Sequence, residues 1–302
     1  MKKILLLGGT GFVGRHLCQA LARLQYRVTV PTRNPSRAPA LRLLPGLELV
    51  PVDVHDEAAL ARLLPGHDAV VNLVAILHGS AFDFERVHVA LVKKIAGACV
   101  TAAVPRLVHI SALGAGKDAP SMYQRSKAAG EAVIEASPLD WTVLRPSVIF
   151  GEGDQFLTLF ARLQAVLPVM PLAGADTLFQ PVWVGDVVEA IAQCLQRDDT
   201  GKRVYEACGP ERFSLRQLVQ MAGRWSGHVR PVIGLPSPVA RLQALLMEMA
   251  PGPTLMSRDN LDSMKVDNVA SGSLPGLDAL GITPHALSAI APAYLGTAAP
   301  SR

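Results

Sequence analysis

The sequence contains little cysteine, few aromatic residues and few charged ones. Its four cysteines lie far apart and form no Cys-x-x-Cys motif; they are Cys18, Cys99, Cys194 and Cys208. This usage indicates a reduced, cytoplasmic setting and offers no metal site, so we expect no bound metal. Aromatic residues make up 5% of the chain, and no run of Lys and Arg is interleaved with them. We therefore expect no nucleic-acid partner.

No apolar run reaches the length that a membrane-spanning helix needs. The apolar residues after Lys3 stop at Gly8, too early for a secretory signal peptide, so we expect none. Acidic residues are absent before Glu48, whereas Lys and Arg are frequent there. A basic start suits a polyanionic ligand, although scattered solvated charge explains it as well. With half of its residues apolar and a net charge of +4, the chain is an ordinary folded protein of one large domain or two modest ones.

The most informative stretch is Lys3–Gly14, with the sequence KILLLGGTGFVG. An apolar strand ends at Gly8, Gly11 and Gly14 follow at three-residue spacing, and apolar residues then recur at helical spacing from Phe12. Backbone N–H groups at the start of such a helix, the helix dipole and the missing Cβ atoms together make an anion site. The stretch therefore predicts a dinucleotide-binding turn; glycines that serve only a tight turn are the alternative.

Strands and helices alternate through the first half of the chain. Strands are predicted at Ile4–Leu7, Tyr26–Val30, Leu47–Val52, Ala69–Ala75, Leu107–Ser111 and Trp141–Arg145. Helices are predicted after the glycine turn and at Asp56–Leu64, Asp83–Ala103 and Met122–Ala136. This alternation predicts an α/β fold with a Rossmann-type, doubly wound parallel sheet.

After Gly151 prolines become frequent and helices dominate. Helices are predicted at Gln155–Leu167, Val184–Gln196, Leu215–Ser226 and Pro238–Met249, and short strands at Val204–Cys208 and Val232–Gly234. We expect residues 1–150 to form an NAD(P)-binding Rossmann domain and residues 151–302 a smaller, mainly helical substrate lobe. A segment at about 184–208 is expected to return to the Rossmann domain. From about Gly296 we expect a loose tail.

The residue that ends the second strand selects between the nicotinamide cofactors. An acid there holds the ribose diol, whereas an arginine accommodates a 2′-phosphate. Arg33 stands at this place, with Arg37 nearby and no carboxylate. A guanidinium binds a phosphate through two N–H groups at once, so the sequence predicts NADP(H) rather than NAD(H). The alternative is that Arg33 is a surface residue and that the site does not distinguish the two cofactors. Asp53 and Val54, which close the third strand, are placed to border the adenine, although Asp53 equally fits a helix start.

Tyr123 and Lys127 lie four residues apart, on one face of a predicted helix. A nearby ammonium stabilises a phenolate, so we expect the pKa of Tyr123 to be lowered. Such a tyrosine donates a proton to a carbonyl oxygen as hydride arrives, or takes one from an alcohol. Ser111 ends the fifth strand, where its hydroxyl is available to the same carbonyl. These residues are the catalytic candidates, and Lys127 could also bond the nicotinamide ribose.

Further motifs accompany the glycine turn and the Tyr-x-x-x-Lys pair. They are Asp53, Asn72-Leu73-Val74-Ala75, Ser111, Leu144–Gly151 (LRPSVIFG) and Pro181–Val187 (PVWVGDV). With these pieces the chain resembles a short-chain dehydrogenase/reductase of the extended or atypical kind. More narrowly, SALGA at 111–115, YQRSKAAGE at 123–131, RPSVIFG at 145–151 and FQPVWVGD at 179–186 resemble the subfamily that contains the nucleotide-binding accessory subunit of mitochondrial complex I and its bacterial relatives.

The resemblance implies a Rossmann fold that binds NADP(H). The residues it places on the cofactor are Gly8, Thr10, Gly11, Phe12, Val13, Gly14, Arg33, Asp53, Val54, Leu73, Val74, Ala75, Lys127, Pro146 and Val148. The extended kind usually carries an asparagine in the helix after the fourth strand, where this sequence has His88. A proton relay through the histidine and the loss of that relay both stay open.

Two other polar residues each have a structural and a functional interpretation. His78 follows the fourth strand near the expected nicotinamide, but a polar loop residue is the simpler interpretation. Asp186 begins the helix Val184–Gln196, where a carboxylate suits the helix dipole better than it suits catalysis.

Three functions fit the sequence. The first is an NADPH-dependent oxidoreductase acting on an apolar carbonyl or quinone, since Ser111, Tyr123 and Lys127 are kept. The second is a non-catalytic NADP(H)-binding protein with a structural or sensing role, as the resemblance implies for the mitochondrial member. The third is a sugar-nucleotide epimerase or dehydratase. That activity needs a basic pocket for a second pyrophosphate, for which the candidates are Arg203, Arg212, Arg216 and Arg224.

Apolar stripes at 156–167 and 242–249 are typical of core helices. They also suit an apolar substrate pocket or a helix that rests on a membrane. We therefore expect a small, apolar substrate and a cytoplasmic protein. Attachment to the inner face of the membrane, or to a partner protein such as a respiratory complex, is the alternative.

Overall fold

The computed structural model describes residues 2–249 and 256–296, so the loose tail predicted after Gly296 lies outside the described residues. The strands are β1 (Lys3–Leu7), β2 (Arg27–Thr32), β3 (Leu47–Pro51), β4 (Ala69–Asn72), β5 (Arg106–Ile110), β6 (Asp140–Pro146), β7 (Ile149–Phe150), β8 (Met170–Leu172), β9 (Leu178–Phe179), β10 (Val182–Trp183), β11 (Arg203–Ala207), β12 (Phe213–Ser214) and β13 (Val232–Gly234). The helices are α1 (Phe12–Arg23), α2 (Glu57–Leu63), α3 (Ala81–Phe84), α4 (Leu91–Thr101), α5 (Met122–Glu135), α6 (Leu157–Val166), α7 (Val184–Gln196), α8 (Leu215–Trp225), α9 (Ser237–Met249), α10 (Arg258–Ser263) and α11 (Leu287–Leu295).

A seven-stranded sheet with the order β11-β6-β5-β4-β1-β2-β3 forms the centre of the protein. Every neighbouring pair in it is parallel. The strand order reverses between β1 and β4, and ligands of such folds bind in the crevice at the carboxyl ends of the strands beside this reversal. The predicted α/β fold with a doubly wound parallel sheet is thus confirmed.

The strand β1 shows why the sheet is covered on both faces. Its residues Ile4 and Leu6 join a core cluster that contains Leu17 of α1 and Val187 of α7. The alternate residues of β1 join the opposite cluster, with α2, α4 and α5. Because successive side chains of a strand point to opposite faces, an entirely apolar strand needs helices on both sides. This requirement places α1 and α5 on opposite faces of the sheet.

Two predicted elements differ from the structure. β4 ends at Asn72 rather than at Ala75, because the Asn72 side-chain oxygen accepts a hydrogen bond from the Val74 amide (3.1 Å) and turns the chain away from the ladder. The helix predicted at Asp83–Ala103 begins as α3, passes through a π-helical turn at Glu85–Ala90 and continues as α4. Helical periodicity alone does not distinguish a π turn from the α-helix around it.

Beyond Gly151 a third core cluster forms between α6, α8 and α11. Two elements of this half lie on the central sheet: β11 pairs with β6, and α7 packs on α1. The cysteines Cys18, Cys99, Cys194 and Cys208 are buried and free. Within the described ranges, no helix combines the length and the apolar character needed to cross a membrane.

Candidate active site

The glycine turn between β1 and α1 leaves no room for side chains. Gly8 has a φ of +82°, and a Cβ on it would lie 3.1 Å from the carbonyl carbon of Leu73. A Cβ on Gly14 would lie 2.4 Å from the Gly8 oxygen, closer than real Cβ atoms approach. Gly8 therefore lets the chain turn, and Gly14 lets α1 pack against the turn.

The start of α1 is open to an anion. Gly11 is the N-cap residue and supplies no side-chain cap, and the first turn holds no acid. Phe12 and Val13 begin the helix and are half-buried, while Arg15 Nε donates to the Thr10 oxygen (2.9 Å). The unused backbone N–H groups and the helix dipole therefore fit a phosphate group at this end.

Three cations act on His55, which lies in the turn after β3. Arg33 is exposed and follows β2 directly, while Asp53 accepts a hydrogen bond from the His55 amide (3.0 Å) in a tight turn. Burial lowers the pKa of His55; Asp53 opposes this shift, and Arg86, Arg33 and Lys94 add to it. Lys94 also contacts this turn directly, because its Nζ donates to the His55 oxygen (3.1 Å).

The loop after β4 passes over the glycine turn. The Leu73 amide donates to the Leu7 oxygen (2.9 Å), and Leu73 and Val74 are the nearest neighbours of Gly8. The Ile76 amide donates to Nε2 of His88 (3.1 Å). Leu73, Val74 and Ala75 are therefore held at the edge where the predicted cofactor would lie.

The end of β6 joins the same edge. The Leu113 amide donates to the Pro146 oxygen (2.9 Å), and the Val182 amide donates to the Val148 oxygen (3.0 Å). These bonds place Pro146 beside the segment that follows Ser111.

Lys127 and Ser111 lie together at the end of β5, and Tyr123 lies one turn before Lys127 on α5. Lys127 is 1% exposed, and its Nζ donates to the carbonyl oxygen of Ile110 (2.6 Å), the last residue of β5. Ser111 follows directly and is buried, and its Oγ has no hydrogen-bond partner among the described residues. An unpartnered buried hydroxyl costs free energy, so it fits a site where a ligand supplies the missing partner.

The electrostatics of Tyr123 differ from the expectation. Burial raises the pKa of Tyr123 to about 12, whereas the sequence predicted a lowered value. The reason is that burial of the phenol disfavours its charged form, which the spacing of Tyr123 and Lys127 in the sequence does not show. Burial also lowers the pKa of Lys127 to about 8, against the opposing charge of Glu131. Tyr123 is therefore neutral at physiological pH.

Two contacts of α5, the helix that carries Tyr123 and Lys127, have no local sequence signal. The carboxylate of Asp259 on α10 binds the first amides of α5, including that of Tyr123. Glu131, 2% exposed, pairs with Arg145 on β6, with 3.0 Å between Oε1 and Nε. Both contacts join residues far apart in the chain, so only the folded structure reveals them.

His78 and Asp186, the two polar residues with open interpretations, have different surroundings. Nδ1 of His78 is buried without a hydrogen-bond partner in the described ranges. Burial lowers the pKa of His78, while Asp259 on α10 and Glu248 on α9 act to raise it. Asp186 instead binds the ring and the amide of His285, with Oδ1–Nδ1 at 2.7 Å, and so anchors the C-terminal segment.

The arginines that a second pyrophosphate would need are spread over β11, the loop after it and the two ends of α8. Arg203 begins β11, at the amino edge of the sheet, and Arg212 follows the carboxyl end of that strand. Arg216, in the first turn of α8, donates to the Val232 oxygen (2.9 Å), and Arg224 lies in the last turn of that helix.

Comparison with known proteins identifies the family. A family described as NAD(P)H-binding matches residues 8–158, and one described as the RmlD substrate binding domain matches residues 116–231. Subunit 9 of the alpha subcomplex of mitochondrial NADH dehydrogenase (ubiquinone) from Arabidopsis thaliana is 31% identical over 303 residues, covering 93% of this chain and 74% of that protein. The chain belongs to the NAD(P)H-binding, extended short-chain dehydrogenase/reductase family.

Other members of this family carry enzyme names. A protein named ceramide reductase from Caulobacter vibrioides is 28% identical over 237 residues, covering 78% of this chain and 74% of that protein. Among solved structures, the dTDP-glucose 4,6-dehydratase DesIV from Streptomyces venezuelae has a TM-score of 0.75 at 21% identity, covering 97% of this chain and 95% of that one. The structural likeness shows the fold. Family membership shows that the chain binds NAD(P)H and resembles the complex I subunit, as the sequence predicted.

Proposed function

We propose that this protein is an NADPH-dependent reductase of an uncharged, apolar carbonyl or quinone. The observation that carries the proposal is the unpartnered, buried Oγ of Ser111 at the end of β5, where Lys127 is also held. A structural nucleotide site has no need for a buried hydroxyl without a partner. A substrate oxygen would satisfy it.

The cofactor supplies hydride, and the side chains of this chain handle the oxygen and the proton. Ser111 would donate a hydrogen bond to the substrate oxygen and polarise the carbonyl. Tyr123, neutral because burial holds its pKa at about 12, would donate the proton to that oxygen. The Lys127 ammonium, fixed near the end of β5, would stabilise the negative charge that develops on the tyrosine.

The choice of NADPH rests on Arg33. Its exposed guanidinium follows β2, and the described residues show no hydrogen bond or ion pair to its side chain. Arg86 and Lys94 lie close enough to add to the effect of Arg33 on His55. This positive region would attract the 2′-phosphate and would give NADH no comparable contact.

We infer an uncharged substrate from the helices α9 and α10, of which α10 holds the start of α5 through Asp259. The cations of this region are paired: Arg241 and Lys265 with Asp262, and Arg258 with Glu248. A charged substrate would compete with these pairs, whereas an apolar one would not. A relative named ceramide reductase carries the name of an enzyme with an uncharged, apolar substrate. We therefore assign residues 1–150 to cofactor binding and residues 151–302, apart from the returning segment at about 184–208, to substrate choice.

A non-catalytic role is the second candidate. Several relatives at 31% identity carry the name of a complex I subunit. In this case the chain would hold NADPH without turnover and would attach to a partner complex at the inner face of the membrane.

A single-turnover assay separates the two candidates. Stoichiometric NADPH would be bound to the purified protein, and a short-chain quinone, a long-chain ketone and a 2-alkyl-3-oxoalkanoate would be added in turn while the nicotinamide absorbance is followed. We expect oxidation by the native protein and its loss in Tyr123→Phe. Tyr26→Phe, just before β2 and far from this edge, is the matched control. Binding of NADPH without oxidation on any substrate would favour the non-catalytic role.

A further inference from the structure

His88 occupies the middle of the π-helical turn Glu85–Ala90 and is 2% exposed. Its ring centre lies 5.6 Å from the ring centre of Tyr123 and 5.5 Å from that of Phe84. The backbone of α5 approaches this turn so closely that a Cβ on Gly130 would lie 2.2 Å from the His88 oxygen. The π turn thus places His88 in close contact with the helix that carries Tyr123. Such turns are often found at functional sites.

Both ring nitrogens of His88 have partners, and these partners determine its tautomer. The Ile76 amide donates to Nε2 (3.1 Å), so Nε2 must offer a lone pair. A neutral imidazole then carries its proton on Nδ1, which donates to Oγ of Ser126 (2.8 Å). Ser126 Oγ in turn donates to the main-chain oxygen of Tyr123 (2.8 Å). Each donor in this chain of hydrogen bonds has one acceptor.

We propose that His88 is a positioning residue: as the Nδ1–H tautomer it ties the cofactor-side loop, at Ile76, to the α5 helix, at Ser126 and Tyr123. It holds these two parts of the site in register and does not itself relay a proton. This proposal rests on the proposed function only because that function gives Tyr123 a catalytic role.

The surroundings of His88 keep it neutral. Lys127 and Tyr123 face it from α5, and His109 lies near it on β5. Burial, together with the Lys127 charge, lowers the pKa of His88 to about 3. Burial also lowers the pKa of His109 well below its usual value. A protonated His88 would lose its acceptor for Ile76 and would add a second cation beside Lys127, so the imidazolium that a relay needs is disfavoured.

Nuclear magnetic resonance of the full chain with 15N-labelled histidine tests the tautomer without any substrate. The chain has 8 histidines, and the spectrum of His88→Gln identifies the signals of His88 by their disappearance. We expect the Nδ1–H form with no titration between about pH 5.5 and 8, a range in which an unperturbed histidine titrates. An Nε2–H form, or titration within this range, would overturn the proposal.

Two substitutions at position 88 test separately the hydrogen bond to Ile76 and the hydrogen bond to Ser126. Asparagine places an amide N–H near the position of Nδ1 and keeps the bond to Ser126, but offers no acceptor to Ile76. Glutamine reaches the position of Nε2 and keeps the acceptor for Ile76, but loses the donor to Ser126. We expect His88→Asn to weaken NADPH binding about 10-fold, the effect of one buried hydrogen bond. We expect His88→Gln to leave the NADPH dissociation constant unchanged and to slow single-turnover reduction about 10-fold.

Ser126→Ala is the matched control, because it removes the same hydrogen bond as His88→Gln, the one between position 88 and Ser126, and leaves His88 in place. It should reproduce the His88→Gln pattern. Equal effects of asparagine and glutamine on the NADPH dissociation constant would overturn the proposal. If the native protein oxidises no NADPH with any substrate, the reductase assignment fails; the binding constants and the tautomer still decide the role of His88.

Discussion

The carboxylate of Asp259 accepts a hydrogen bond from the main-chain amide of Tyr123, at 3.0 Å, across 136 residues of sequence. Its other oxygen accepts from the Met122 amide at 2.6 Å. Ser121 satisfies a further amide of this helix start, that of Gln124. A negative charge on the first turn of a helix is favoured by the helix dipole. The C-terminal half of the chain therefore fixes the start of the helix that carries the proposed proton donor.

We expect Asp259→Ala to lower the free energy of unfolding by about 1–2 kcal/mol, the usual cost of losing a helix cap. Single-turnover reduction should slow in addition, because the start of α5 is released, while NADPH binding at the glycine turn should not change. Chemical denaturation and stopped-flow absorbance measure these effects. Asp262→Ala is the control, since Asp262 lies on the same helix but pairs with Arg241 and Lys265 at the surface. Equal effects of the two substitutions on the reduction rate would contradict the assignment.

The sequence predicted what depends on local patterns. The glycine spacing located the turn between β1 and α1, and apolar periodicity located α7 at its observed bounds, Val184–Gln196. The contact between Asp259 and Tyr123 was not predictable, because a single aspartate in a polar stretch shows no partner. The prediction of a lowered Tyr123 pKa was wrong for a related reason: four-residue spacing places Lys127 on the same helix face but does not show how far the fold buries the phenol.

The glycine turn gives a second prediction. Gly14→Ala should abolish NADPH binding, since its Cβ would lie 2.4 Å from the Gly8 oxygen and would force α1 away from the turn. Gly97→Ala is the matched control on α4: a Cβ there meets nothing within 4 Å. This control should raise the free energy of unfolding by about 0.5–1 kcal/mol through helix propensity and leave NADPH binding unchanged. Fluorescence titration and denaturation measure both. Retained NADPH binding by Gly14→Ala would show that the cofactor does not use this turn.

Cofactor choice gives a third prediction. Arg33→Ala should raise the dissociation constant of NADPH about 10- to 100-fold, as expected for a lost charge-assisted hydrogen bond to phosphate, and leave that of NADH unchanged. Arg42 is also exposed but lies on the 3₁₀ turn Pro39–Leu43, so Arg42→Ala should change neither dissociation constant. Isothermal titration with each cofactor measures the constants. Native protein that binds NADPH and NADH equally well would exclude the predicted preference.

The pH dependence of reduction follows from Lys127 and Tyr123. Raising the pH through about 8 removes the proton of Lys127, whereas Tyr123, with a pKa of about 12, keeps its own. Loss of the ammonium leaves the developing phenolate without a counter-charge, so the single-turnover rate should be flat from about pH 6 to 7.5 and fall above about pH 8. Lys127→Met should be slow throughout and lack this fall. A rate that instead rises with pH through about 6.5 would indicate an imidazole acting as a base, and would contradict both the neutral His88 and the role of Tyr123 as the acid.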